Sequence, residues 1–424
     1  MPIISHLEFY VRAAIAIVCV FLVCVTLHEF GHFYVAKKSG VAVPIFSIGF
    51  GPKLVKWNRG GTEYSIRLLP LGGFVQMAGE APQETWFPVG QEVAYELDDE
   101  LRIIRLGDPK DLKHGYVGTV RRVDLTDAME MAIDTAEGIR TFPVKPYARV
   151  MLNARSSIPV VEKHEQMLGK PLWKRAAVIL AGPVMNFLLA GVLFAIVNMH
   201  TGIPTTTIGQ VEPHTPAHAA GLQVGDKIIQ IDNRAIHSWD DLRSSIQADL
   251  VSGAAKPKPL HLMVSRDGQT RPVTVTPAIE KNGEALIGIE STMSYNPLRT
   301  VPAGFSEMVR DTGLTVQAYG QLVWHHQFSS LSGPVGIADV ISQQARLGFW
   351  NVVMIAGVLS LNLGMFNLIP IPALDGGRLL FMIIELVRGR KVDPQKEGFV
   401  HFVGFALLML FAVVITYRDV THLF

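Results

Sequence analysis

The 424-residue chain is 49% hydrophobic and only 18% charged, too apolar for an ordinary soluble enzyme, and this predicts several membrane spans joined by soluble parts. A formal net charge of +1 gives no nucleic-acid or anionic-surface signal, so no nucleic-acid partner is expected. The two cysteines, Cys19 and Cys24, lie together in the first apolar run, which excludes a disulfide framework; small packing residues is their expected role.

Residues 1–40 predict a transmembrane helix. Residues 13–27 carry no charge, and the apolar character continues through His28-Glu29-Phe30-Gly31-His32 to Ala36 before Lys37 and Lys38 end it. At roughly 1.5 Å per residue, such a run crosses a hydrocarbon core of about 30 Å. Two histidines and a glutamate at that depth need a compensating partner. One helical turn apart, His28 and His32 point the same way and can share one Zn²⁺. Glu29 lies beside them, placed to take a proton from a water at the metal. The competing reading is a signal peptide or plain anchor. A signal peptide would end at a small-residue cleavage site, whereas here the apolar helix runs straight into the motif.

Residues 41–81 alternate apolar and polar positions, broken by Gly and Pro around Phe46–Pro52, Thr62–Pro70 and Leu71–Glu80, which suggests β-hairpins. They are apolar enough to dip into the membrane where protein or a water-filled cavity satisfies the backbone. A small amphipathic sheet on the membrane surface fits the pattern equally. Residues 82–173 are polar with charges of both signs and short strand-like runs such as Gly118–Val123, a cytoplasmic β-rich insert; its His164 and Glu165 read as solvated surface. Residues 174–200 form the second span. There Ala181-Gly182-Pro183 allows close helix approach, and Asn186 either packs helices or supports the site in the first span.

Residues 203–291 read as one soluble domain. Pro216-Ala217-His218-Ala219-Ala220-Gly221-Leu222, then Val224-Gly225-Asp226-Lys227-Ile228, then strands near 258–265, 271–277 and 286–290, look like a single PDZ domain. Its groove would capture a peptide segment as an added strand, or filter substrates by size. Residues 300–326 resemble an amphipathic helix at the interface.

The third span region, 349–387, contains Asn367-Leu368-Ile369-Pro370-Ile371-Pro372-Ala373-Leu374-Asp375-Gly376-Gly377. Two prolines break a helix and free its backbone groups. An aspartate in this setting needs a cation, and zinc on two histidines needs one more protein ligand to leave a position open. Asp375 is the candidate; the alternative is a cap for a helix beginning at Gly376. Residues 397–418 form the fourth span. Basic residues place the loops. Lys37, Lys38, Lys53, Lys56, Lys170, Lys174 and Arg175 lie between spans one and two, and Arg388, Arg390, Lys391 and Lys396 between spans three and four, while 187–226 holds no Lys or Arg. Both basic loops are therefore expected in the cytoplasm. The PDZ-like domain and both termini then lie outside, and the zinc site lies toward the cytoplasmic side.

Taken together, the chain resembles the site-2 protease family of intramembrane zinc metalloproteases. The likeness rests on His28-Glu29-Phe30-Gly31-His32, on Asn367-x-x-Pro370-x-Pro372-x-Leu374-Asp375-Gly376, and on a PDZ domain between spans two and three. It covers most of the chain, least well the insert, and is closer to single-PDZ than to tandem-PDZ members. It implies a polytopic α-helical membrane protein with four transmembrane helices, membrane-associated β-hairpins and one extracytoplasmic PDZ domain, in a bacterial cell membrane. It further implies Zn²⁺ on His28, His32 and Asp375, Glu29 as catalytic base, and Asn367 with its Pro370 and Pro372 segment at the substrate backbone. Gly72 and Gly73 in the hairpins join that substrate-binding set. The implied substrates are single-span membrane proteins, such as anti-sigma factors after a first extracytoplasmic cut, and remnant signal peptides. Two other classes compete. A metal transporter using the same three ligands should show a polar path across several spans. A membrane-anchored PDZ scaffold would leave the ligand set without purpose.

Overall fold

The computed structural model describes residues 2–80, 86–153, 156–251, 258–279, 284–325 and 333–423. Met1, residues 82–85 of the expected insert, 252–257 and 280–283 of the PDZ-like segment, and 326 at the end of the amphipathic helix lie outside the described residues. Helix α1 (Pro2–Lys38) ends with Lys37 and Lys38 in its last turn, where the helix dipole favours positive charge. Strands β1 (Ile45–Arg59) and β2 (Thr62–Gln76) follow. Then come β3 (Glu92–Leu97), β4 (Ile103–Gly107), β5 (Tyr116–Asp124), β6 (Glu130–Thr135), β7 (Gly138–Asn153) and β8 (Ser156–Pro159). After α2 (Leu172–Thr201) the chain forms β9 (Ile203–Val211), α3 (Pro216–Ala219), β10 (Lys227–Ile231), β11 (Arg234–Ala235) and α4 (Trp239–Val251). It continues through β12 (Leu260–Arg266), β13 (Gln269–Val275), β14 (Ala278–Ile279), β15 (Ala285–Leu286) and β16 (Ile289–Ser294). Five helices close it: α5 (Pro297–Trp324), α6 (Pro334–Leu347), α7 (Phe349–Leu368), α8 (Asp375–Arg388) and α9 (Pro394–Leu423). Among the described residues, four helices (α1, α2, α7 and α9) are long and apolar enough to cross a membrane.

The chain divides into two compact units, residues 1–190 with 310–424, and residues 191–309. In the first, β1 and β2 pair twice over: Ile45–Ile48 lies between Gly73–Gln76 on one side and Glu63–Ile66 on the other. Gly73–Gln76 is thereby left as an edge with no second strand partner among the described residues. The insert is a closed small barrel, because β4 pairs with β3 and also runs parallel to β7, completing the ring β3-β5-β6-β7-β4. Its core of Val93, Tyr95, Val120, Ile133 and Val150 includes Ile45 and packs against Phe74, so the barrel is fused to the base of the β1–β2 sheet. Glu165 is not free surface: the Tyr147 hydroxyl donates its one proton to the carboxylate, lying 2.6 and 2.7 Å from the two oxygens. Its neighbour His164 is exposed.

Pro370 and Pro372 fall between α7 and α8, as expected of residues that cannot continue a helical ladder. Helix α6 has no counterpart among the expected elements. Its first turn is capped from afar, Asp419 of α9 accepting from the Gly333 and Gly336 N–H groups at 2.8 and 2.9 Å. Cys24 is buried, its thiol 3.7 Å from the Ala356 carbonyl, whereas Cys19 is exposed.

In the second unit, a sheet of order β13-β12-β10-β9-β16 with α4 against it encloses Ile208, Ile228, Leu242, Leu262 and Val264. The aspartate of the Gly-Asp pattern is wholly buried: Asp226 accepts from Arg266 Nε at 2.6 Å and Nη2 at 2.7 Å, and from the Gln223 N–H at 2.9 Å. A groove lined by Trp239, Arg243 and Ile246 of α4 and by Leu286–Ile289 fits the PDZ-like reading, with a strand edge and a helix as its walls.

Candidate metal centre

Three residues from two elements far apart in sequence converge on one point. Helix geometry puts His28 and His32 on one face of α1, and α8 begins with Asp375 beside them. The two Nε2 atoms are 3.2 Å apart, and each lies 3.3 Å from Asp375 Oδ2. A tetrahedral ion with bonds of roughly 2.0–2.1 Å sets its donors about 3.3 Å apart, so these three edges match a metal-sized triangle. Asp375 Oδ2 is buried and makes no hydrogen bond, an arrangement that is costly for a carboxylate without a cation. Asp375 is the first residue of α8, after Leu374, and makes no cap bond there. This corrects the capping alternative: its side chain is turned to the imidazoles.

The surroundings orient the ligands. The His32 Nδ1–H donates to the Val178 carbonyl of α2 at 2.8 Å, which leaves Nε2 as the electron-pair donor facing Asp375. Asn186, wholly buried on α2, lies 3.1 Å from His28 Nδ1. Close approach is permitted by glycines. A Cβ on Gly182 would sit 2.3 Å from His32 Nε2, and one on Gly376 would sit 2.2 Å from the Ile369 carbonyl oxygen. The small-residue run at Ala181-Gly182 suggested helix packing; its additional service to the imidazoles had no separate signal.

A cavity of about 240 Å³ opens on this triangle, lined among others by Glu29, Phe74, Val75, Asn367, Ala373 and Arg378. Glu29 receives a backbone hydrogen bond from Val75, on the open edge of β2. Gly73 adjoins it, a Cβ there falling 3.5 Å from Glu29 Cγ. Asn367 lines the cavity while its amide donates to the Leu363 carbonyl at 3.0 Å. Gly72 packs under the Phe50 ring instead. Pro370 is exposed, and Pro372 faces α9, lining a separate apolar groove. An ion pair the sequence did not signal, Arg378 to Glu80 at 2.7 Å, closes one wall. Behind it, Arg175 of α2 grips both oxygens of Glu385 on α8 at 3.0 and 2.8 Å.

A carboxylate-and-imidazole triad set among bilayer-length helices defines a membrane metalloenzyme. Comparison with known proteins agrees. The sequence pattern of Peptidase family M50 matches residues 16–411. The zinc metalloprotease RasP of Geobacillus kaustophilus is 40% identical over 97% of this chain and 99% of its own length. The regulator of sigma-W protease RasP of Bacillus subtilis is 34% identical over 98% of this chain and 100% of its own. Among solved structures, the PDZ domain of an SdrC-like protein from Listeria monocytogenes aligns with 20% of this chain and 85% of its own, at 23% identity and a TM-score of 0.18. The chain belongs to peptidase family M50, the site-2 proteases, and is a metalloprotease.

Proposed function

We propose that this chain is a zinc-dependent endopeptidase that cuts the transmembrane segments of single-span membrane proteins within the bilayer. The observation that carries the reading is the matched triangle of His28 Nε2, His32 Nε2 and Asp375 Oδ2, at separations of 3.2, 3.3 and 3.3 Å, opening on a cavity that also holds Glu29. His28, His32 and Asp375 hold the ion, and imidazole with carboxylate suits zinc. When bound, zinc supplies Lewis acidity to the attacking water and the scissile carbonyl.

The chain's own groups do the rest. Glu29 takes the proton from the attacking water and returns it to the leaving amine. The Val75 N–H steadies its carboxylate. A helical peptide bond is shielded by its own hydrogen bonds, so the substrate must unwind first. The free edge at Gly73–Gln76 offers an extended segment a strand partner beside Glu29, and Asn367 flanks the opposite side of the cavity. The β1–β2 sheet is thus assigned to the membrane boundary, where its exposed Phe50, Leu54, Trp57 and Leu68 meet lipid.

The protein is placed in the bacterial cell membrane, with the insert in the cytoplasm and the PDZ-like domain and both termini outside. Lys and Arg distribution supports that orientation. The name of the B. subtilis relative supports anti-sigma factors, trimmed by an earlier extracytoplasmic cut, as one substrate class; remnant signal peptides are another. The groove beside α4 is assigned to peptide segments of such partners. The test is cleavage of a tagged single-span protein by the purified chain in detergent, wild type beside Glu29→Gln, with zinc measured on both. Cleavage surviving in Glu29→Gln sinks the assignment.

A further inference from the structure

The loop that delivers Asp375 is gripped by the fourth apolar helix. Between α7 and α8, Pro370 and Pro372 donate no hydrogen bonds, and the remaining ties within the loop are short turns, Ile371 N–H to Ile369 O at 2.7 Å and Leu374 N–H to Ile371 O at 3.2 Å. Ala373 takes φ +78°, the left-handed region that alanine seldom adopts. Such a conformation persists only where the surroundings hold it. Here the hold is external: the Ala373 N–H donates to His401 Nδ1 of α9 at 2.8 Å. One turn further along α9, a Cβ on Gly404 would lie 2.4 Å from Pro372 Cβ and 2.8 Å from its carbonyl oxygen. Helix α9 therefore clasps two consecutive loop residues, one by a hydrogen bond and one by contact.

The imidazole is itself fixed. For Nδ1 to accept, the ring proton must sit on Nε2. Nε2 is buried without a hydrogen-bond partner, with Glu397 Oε1 3.9 Å away. The Phe381 ring of α8 lies against the imidazole, centroids 5.6 Å apart. Ala373 also lines the metal cavity and stands two residues before Asp375.

We propose that His401 is a positioning residue for the metal centre: it holds the left-handed turn at Ala373 and so sets where Asp375 meets His28 and His32. The inference rests on the metal reading above. Without the acceptor, the half-buried Ala373 N–H loses its partner. The turn then relaxes toward an ordinary conformation, and Asp375 moves with it. The position of α9 and the quality of the metal site become linked.

The test uses full-length protein in detergent, with zinc affinity read by chelator competition and thermal midpoints read on the metal-free forms. His401→Leu keeps bulk and removes the acceptor; His401→Asn restores an acceptor oxygen near the Nδ1 position. The expected result is zinc binding weakened about 10- to 100-fold in His401→Leu, largely recovered in His401→Asn, with similar metal-free midpoints. Gly404→Ala, which pushes the same loop from the neighbouring turn, should weaken zinc binding as well. Wild-type affinity in both His401→Leu and Gly404→Ala would overturn the proposal. Equal losses in His401→Leu and His401→Asn, with lowered metal-free midpoints, would reduce His401 to packing and overturn it too. A wild-type protein that takes up no zinc would overturn the metal reading beneath it as well.

Discussion

Asn186 meets His28 Nδ1 through its amide at 3.1 Å, while Asn186 Oδ1 is buried with no partner. As placed, the Asn186 amide nitrogen faces Nδ1; with the amide turned over, Oδ1 would accept the His28 Nδ1–H and leave His28 Nε2 with its lone pair toward Asp375. In the other orientation the Nε2 proton would point at His32 and Asp375, which suits no metal. The Val178 carbonyl does the same for His32, so α2 sets the tautomer of both imidazoles on α1.

Asn186→Leu should therefore weaken zinc binding by about 10- to 100-fold, while Asn186→Asp, which keeps an acceptor oxygen, should retain most of it. Chelator competition on purified protein separates the two; equal affinity in all three forms would remove Asn186 from the site.

Glu29→Gln should keep zinc at wild-type stoichiometry, because Glu29 is no part of the ligand triangle, and lose about 100-fold or more of the cleavage rate with the general base. Zinc analysis alongside a single-turnover cleavage assay reads both effects.

Gly182→Ala should lose zinc outright, since the new Cβ would occupy a position 2.3 Å from His32 Nε2 and 2.7 Å from His28 Cε1. Helical structure should persist, as alanine favours helices. Circular dichroism with metal analysis checks both; zinc bound normally in this variant would contradict the close packing of α2 on α1.

The PDZ-like domain should weaken in acid through Asp226. Burial pushes its carboxyl up, but the Arg266 guanidinium and the Gln223 N–H outweigh burial and hold it below the ordinary carboxylate value. A folded value below the unfolded value of about 3.9 means the stabilisation is fully present above that value and is lost as pH falls through the folded one. Protection of the β12 amides against hydrogen exchange, relative to the intrinsic rate at each pH, should fall below about pH 4 in the full-length protein. Asp226→Asn removes the charge that pairs with the Arg266 guanidinium, so it should lower protection already at neutral pH and show a flatter acid response.

Much of the site was legible because its chemistry is local. His28, Glu29 and His32 declare themselves through helical spacing inside an apolar run, and Asp375 through its place after Pro370 and Pro372. The four apolar helices follow from composition over bilayer length. Asn367 lines the cavity, whereas Gly72 packs against Phe50, Pro370 is exposed and Pro372 lines a separate groove, because membership of a motif does not say which way each residue faces. Helix α6 escaped the sequence because its cap, Asp419, comes 83 residues after the Gly336 it serves. The barrel closure escaped because β4 and β7 pair across some forty residues.

By itself, then, the sequence marked out the four apolar helices, the candidate ligands and the reaction class such ligands suit, all of which depend on residue types at short spacing. Only the tertiary structure decided which groups tune those ligands: Asn186 and Val178 behind the imidazoles, Gly182 making room for them, and His401 holding the turn before Asp375. These are pairings through space between helices, and no periodic pattern along the chain encodes which buried donor will face which acceptor.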